Sequence, residues 1–228
     1  MKHLLYLLFG SALMYSCQKE PGGNALLLAE DDGCIERIYT PVTAHEISST
    51  NILTADSLLD AHNINRSNLR YVRYSNDSVQ TFFPPFVKYD EKIVVADQYY
   101  RGVWVFGKDI LYYFKNNVYE LTNGTLTNGT TFDTSINLNL RQLRKLFEDD
   151  NILYDGNGGT YKDSCYTAEF GFCNINAGTG NPEEKLVKAW KLSIKGRSPS
   201  YTSDVPIGYY QDADGKRIWY FNGIMTVR

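Results

Sequence analysis

Histidine is scarce in this chain: His3, His45 and His62 are the only three in 228 residues. His45-Glu46 is not followed three positions on by the second imidazole that a zinc-binding helix needs. The sequence also lacks a Gly-x-Ser-x-Gly elbow, a phosphate-cradling glycine loop, and a Cys/His pair that spacing would nominate as nucleophile and base. The adjacent carboxylates Asp31-Asp32 and Asp149-Asp150 are four among 26 acidic residues, so adjacency alone reads as solvation. These absences point away from an enzyme, and no cofactor or metal is expected.

There is no basic block, and the formal charge is −3, which argues against a nucleic-acid partner. What is abundant is aromatic: 18 Tyr and 11 Phe, accompanied by many Thr, Val and Ile, favour sheet over helix. The length suits one domain or two small ones, with enough apolar residues for a real core. The longest apolar run near the start, residues 4–14, is too short to span a bilayer.

That run follows the basic start Met1-Lys2-His3 and ends at Ser16-Cys17. The arrangement resembles a bacterial lipoprotein signal, in which removal of residues 1–16 leaves Cys17 as an acylated first residue. The resemblance implies a membrane partner through acyl chains and a place in the bacterial cell envelope, on the outer membrane. Residues 17–26, rich in Gly and polar side chains, read as a tether. An exported chain is open to disulfides, and Cys34, Cys165 and Cys173 remain. Cys165 with Cys173 is the favoured pair, and Cys34 with either one is the rival.

Two segments read as helices. Residues 54–62 start at Thr54 as N-cap, and residues 139–149 start with Asn139 and Gln142 as a capping box over an apolar face of Leu140, Leu143, Leu146 and Phe147. Strands are expected at 34–39, 69–74, 93–99, 103–106, 109–114 and 118–121, with reversals at Gly102, Gly107 and Asn116-Asn117. A short strand at 152–154 precedes a long insertion, 155–182, and further strands follow at 186–194, 207–210 and 217–225. Trp190, Trp219 and Tyr220 in these last strands read as packing rather than as ligand platforms. Between the first strands lies Phe82-Phe83-Pro84-Pro85-Phe86, whose prolines exclude a central strand. Its three rings either cap the end of the core, the favoured reading, or form an exposed contact for a partner.

The run Gln98, Tyr100, Gly102, Val103, Val105, Phe106, Gly107 and Asp109, followed by a strand, a turn and Leu121-Thr122-Asn123-Gly124, resembles the propeptides of thermolysin-type and fungalysin-type metalloproteases. Asp212-Ala213-Asp214-Gly215-Lys216 resembles the turn of their second, PepSY-like subdomain. The resemblance implies an α+β fold of two sequential subdomains, 27–135 and 136–228, each an antiparallel sheet packed on a helix. It further implies a non-catalytic module that inhibits a secreted metalloprotease in trans or assists its folding. The alternatives are a surface lipoprotein that binds a glycan or other nutrient, and a structural envelope component.

Overall fold

The computed structural model describes residues 34–127, 133–155, 161, 164–176, 183–196 and 205–223. Cys17 and the signal and tether segments lie outside them. Strand β1 (Ile35–Ile38) comes first, then helix α1 (Ser49–Ala61). Ser48 caps α1, its Oγ accepting from Asn51 N at 3.2 Å. The helix therefore starts before the expected cap; Thr54 sits inside it, its hydroxyl donating back to Thr50 O at 3.0 Å.

Strands β2 (Leu69–Gln80), β3 (Lys88–Tyr100), β4 (Val103–Lys115) and β5 (Val118–Asn123) form the expected antiparallel meander. Two of its reversals carry two positive-φ residues in succession, Arg101-Gly102 at 51° and 77° and Asn116-Asn117 at 50° and 65°. Gly107 is alone at +65°, and one such residue bends a strand without reversing it. The two short strands expected on either side of it are thus one strand, β4, with a bulge where the register jumps from Asp97↔Asp109 to Gln98↔Val105.

Helix α2 (Leu140–Asp155) begins with the expected capping box: Gln142 N donates to Asn139 Oδ1, and Asn139 N to Gln142 Oε1, both at 2.9 Å. It runs on through residues 152–154, so the strand expected there is the helix's last turn. Strands β6 (Tyr166–Asn174), β7 (Leu186–Ile194), β8 (Ile207–Gln211) and β9 (Arg217–Phe221) complete the described elements.

The expected pair of separate sheets is not what forms. All nine strands among the described residues belong to one sheet, curled into a half-barrel, and the protein is mostly β. The join is β6, which lies inside the segment read as an insertion. One edge of β6 pairs antiparallel with β7. Its other edge is shared in parallel by β1, over Tyr166 to Glu169, and by β4, through Trp104↔Gly171, Val105↔Phe172 and Phe106↔Cys173. A helix followed by strands does occur twice along the chain, but element order does not say which sheet edges stay open.

The same straight strand removes the favoured disulfide. Cys165 precedes β6 and Cys173 lies near its end, eight residues or roughly 26 Å away in extended chain, where Cα atoms must be under about 7 Å apart to be bridged. Cys34, Cys165 and Cys173 form no disulfide with one another, and burial pushes the Cys173 thiol up to about 11.

Each helix covers one part of the sheet. Ala55, Leu58 and Leu59 of α1 pack on Val94, Ile110 and Phe114, while Leu143 and Phe147 of α2 pack on Tyr166, Trp190 and Leu192. Each fully buried Leu or Phe contributes about 1.5–3 kcal/mol. Asp212, wholly buried, ties the approach to α2 onto β7: it accepts from Asn137 N, Leu138 N and Trp190 Nε1.

At the join the strands are held close by a missing side chain. A Cβ on Gly171 would fall on the ring of Phe106 and within 2.8 Å of Trp104 O. Gly171→Ala should cost about 1–3 kcal/mol in urea unfolding, as over-packing does. Gly107→Ala meets no atom within 4 Å and should cost only about 1 kcal/mol, from its positive φ alone. Equal losses at the two sites would mean that the close β4–β6 contact is absent.

Candidate functional site

A cleft of about 290 Å³ opens where the strands on either side of the join meet. Arg70 enters it from β2, Trp104 from β4, Glu169 from β6 and Lys191 from β7, and Thr40 and Glu46 close it from the segment after β1. That segment is held down by its own bonds. Tyr99 Oη donates to Thr40 O at 2.9 Å, Tyr39 Oη to Gly102 O at 3.1 Å, and Glu46 N to Tyr71 O at 2.8 Å.

Arg70 is buried and fully engaged. Its Nε donates to Asp97 Oδ2 at 3.1 Å, a second guanidinium nitrogen also reaches that oxygen, and a third donates to Glu46 Oε1 at 2.9 Å. Burial pushes the Asp97 carboxyl up to about 6 against the pull of Arg70, and Asp109, its partner across the strands, adds to the rise. The guanidinium of Arg70 lies 4.9 Å from the centre of the Trp104 ring, and Lys191 Nζ lies 4.4 Å from it. Burial lowers the Lys191 pKa although Glu169 and Asp97 draw it the other way. Trp104 also has Tyr99 parallel to it at 6.5 Å and Phe106 edge-on at 5.2 Å, and its buried Nε1–H has no hydrogen-bond partner among the described residues.

The motif residues build the frame of this cleft rather than its lining. Gln98 is buried and clasps Thr127, accepting from its N–H at 2.9 Å and donating to its carbonyl at 3.3 Å. Tyr100, Gly102 and Val103 form the β3–β4 turn, Val105 and Phe106 are buried at the join, and Gly107 makes the bulge. Sequence reasoning missed Arg70, Trp104, Glu169 and Lys191. The usable signal was a carboxylate and an ammonium at the middle of two otherwise apolar strands, Tyr166-Thr-Ala-Glu-Phe and Ala189-Trp-Lys-Leu.

Phe82, Phe83 and Phe86 are elsewhere, and the expectation that they cap the core is wrong. They are 87%, 74% and 62% exposed. The β2–β3 hairpin pairs out to Gln80↔Lys88, whereas β4 leaves β3 at Glu91↔Lys115, so the tip stands beyond the third strand and has no core to cover. Thr81 organises the tip: its Oγ1 lies 2.7 Å from Pro85 O and accepts from Val87 N at 2.9 Å. Trp190 is buried as expected, but Trp219 is 45% exposed on the edge strand, stacked along Phe221.

Both described histidines serve packing. Tyr71 N donates to His45 Nδ1 at 2.9 Å under a stacked ring pair, and His62 Nε2 meets Asn117 O at 3.0 Å. Among the described residues no group of three His, Cys, Asp or Glu side chains is placed to hold a metal ion. A scan against known protein families finds no match, and no curated protein matches the chain.

The Asp97 proton gives this site a pH signature. The folded chain holds it where an unfolded aspartate, with a pKa of about 3.9, has released it. The group's contribution to stability is therefore full below that value and is lost as pH rises to about 6. Asp109→Asn should lower the Asp97 midpoint, followed by carboxyl carbon NMR, and flatten that part of the stability profile. An unchanged midpoint would show that Asp109 has no part in it.

Proposed function

We propose that this chain is a non-catalytic binding module, lipid-anchored through Cys17 in the bacterial cell envelope, that engages a protein partner through the tip of its β2–β3 hairpin. The observation that carries this reading is the exposure of Phe82, Phe83 and Phe86 together on one projecting turn. Large aromatic side chains held on a stiff backbone lose little entropy on binding and dominate the energy of many interfaces. Phe82 and Phe83 already pack edge to face at 4.9 Å, so the tip offers a preformed aromatic surface.

The partner implied by the resemblance of residues 98–109 to metalloprotease propeptides is a secreted metalloprotease, bound in trans. Binding of a glycan has less support, because the one tryptophan of the cleft is already surrounded by Arg70, Lys191, Tyr99 and Phe106.

The test titrates the chain from position 17 against thermolysin-type proteases secreted by the same organism and follows peptide cleavage. The wild type should slow cleavage, and the combined variant Phe82→Ser, Phe83→Ser, Phe86→Ser should need about tenfold more protein or worse. Its stability should stay within about 0.5 kcal/mol, since the exposed rings bury little. No inhibition at about 10 μM wild type would remove a protease partner bound tighter than about −7 kcal/mol. In cells, Cys17→Ser should leave the membrane fraction; a variant that stays there as the wild type does would remove the lipid anchor.

A further inference from the structure

The cleft offers more than packing requires. Arg70 is spent on Asp97 and Glu46, so its charge is already compensated within the protein. Two charged groups remain. Glu169 is 5% exposed, and its Oε1 accepts from Thr40 N at 3.0 Å, while its second oxygen accepts no bond among the described residues. Lys191 stands directly opposite on the next strand, and its Nζ lies over the Trp104 ring without a hydrogen bond among those residues. The two side chains form no ion pair with each other, although cross-strand neighbours of opposite charge are well placed to do so. A half-buried ammonium and a buried carboxylate, each with bonding capacity to spare, are costly unless something completes them.

We infer that the cleft binds a free aliphatic α-amino acid as its zwitterion, with the ligand carboxylate on Lys191 and the ligand ammonium on Glu169. One unpaired charge of each sign on the protein matches one of each sign on the ligand, so binding leaves the net charge of the cleft unchanged. The next rung on the same face of these two strands, Thr167↔Ser193, adds a pair of hydroxyls 2.8 Å apart. Ile38 supplies apolar surface for the side chain. The volume, about 290 Å³, equals roughly ten waters at about 30 Å³ each, room for a single amino acid and not for an extended peptide. This site is separate from the hairpin tip and stands or falls without it.

The test is isothermal titration calorimetry of the chain from position 17 with L-leucine, N-acetyl-L-leucine and L-leucinamide. L-Leucine should give saturable heat, and the two derivatives, each lacking one charge, should bind about tenfold more weakly or worse, as the loss of a charge-assisted bond requires. Lys191→Met and Glu169→Gln should each weaken L-leucine by a similar factor. If either variant fails to fold, the comparison of the three ligands on the wild type still decides. No saturable heat from L-leucine up to about 10 mM would overturn the inference. So would N-acetyl-L-leucine or L-leucinamide binding as tightly as L-leucine, which would make the cleft a site for a simple anion or cation.

Discussion

The structure turns on a three-rung parallel contact between β4 and β6. Without it the chain would hold two separate sheets, each with an open edge on either side of the gap. With it the sheet is continuous, and residues of four different strands line one cleft. The contact is made possible by Gly171, since any side chain there would displace Phe106. Parallel pairing contributes slightly less per residue than antiparallel, and three rungs are few. The join is reinforced by side chains that cross it: Phe106 meets Tyr209 edge-on at 5.4 Å, and Tyr100 meets Phe172 at 6.2 Å.

Charge at the join follows from the same geometry. Bringing β2, β4, β6 and β7 together buries Arg70, Asp97 and Glu169, which no single strand would bury alone. Such groups are tolerated only when paired and hydrogen-bonded. Arg70 meets that condition through Asp97 and Glu46, and Glu169 meets half of it through Thr40. The segment between β1 and α1 matters for this reason. It provides the Thr40 amide, the Ala44 carbonyl and the Glu46 carboxylate that complete the cleft's polar bonds.

Local signals were legible wherever the physics is local. The Asn139 and Gln142 capping box, the Asn116-Asn117 turn, the amphipathic face of α2 and the positive φ of Gly102 all appear in the sequence and all form. What was not legible depends on contacts far apart in the chain. Gly107 looks like a reversal until its pairing partners are known. Residues 152–154 carry strand-like side chains, but they continue a helix already under way. The strand β6 did alternate, with Tyr166, Ala168, Phe170 and Phe172 on one face, yet the surrounding Gly and Asn made the whole segment read as an insertion. Missing that strand cost both the single sheet and the cleft, since Glu169 sits on it and Lys191 beside it. The exposed tip was misjudged because sequence does not reveal that β2 and β3 outrun β4.

The most direct test of this architecture is amide hydrogen exchange at residues 104–106 and 171–173. A continuous sheet places both segments in its interior, with neighbours on each side, so their amides should be as strongly protected as those of the β6–β7 ladder. Exchange of these amides as fast as that of the strands at the two ends of the sheet, β2 and β9, with the β6–β7 ladder still protected, would mean that the join does not form and that the cleft has no floor.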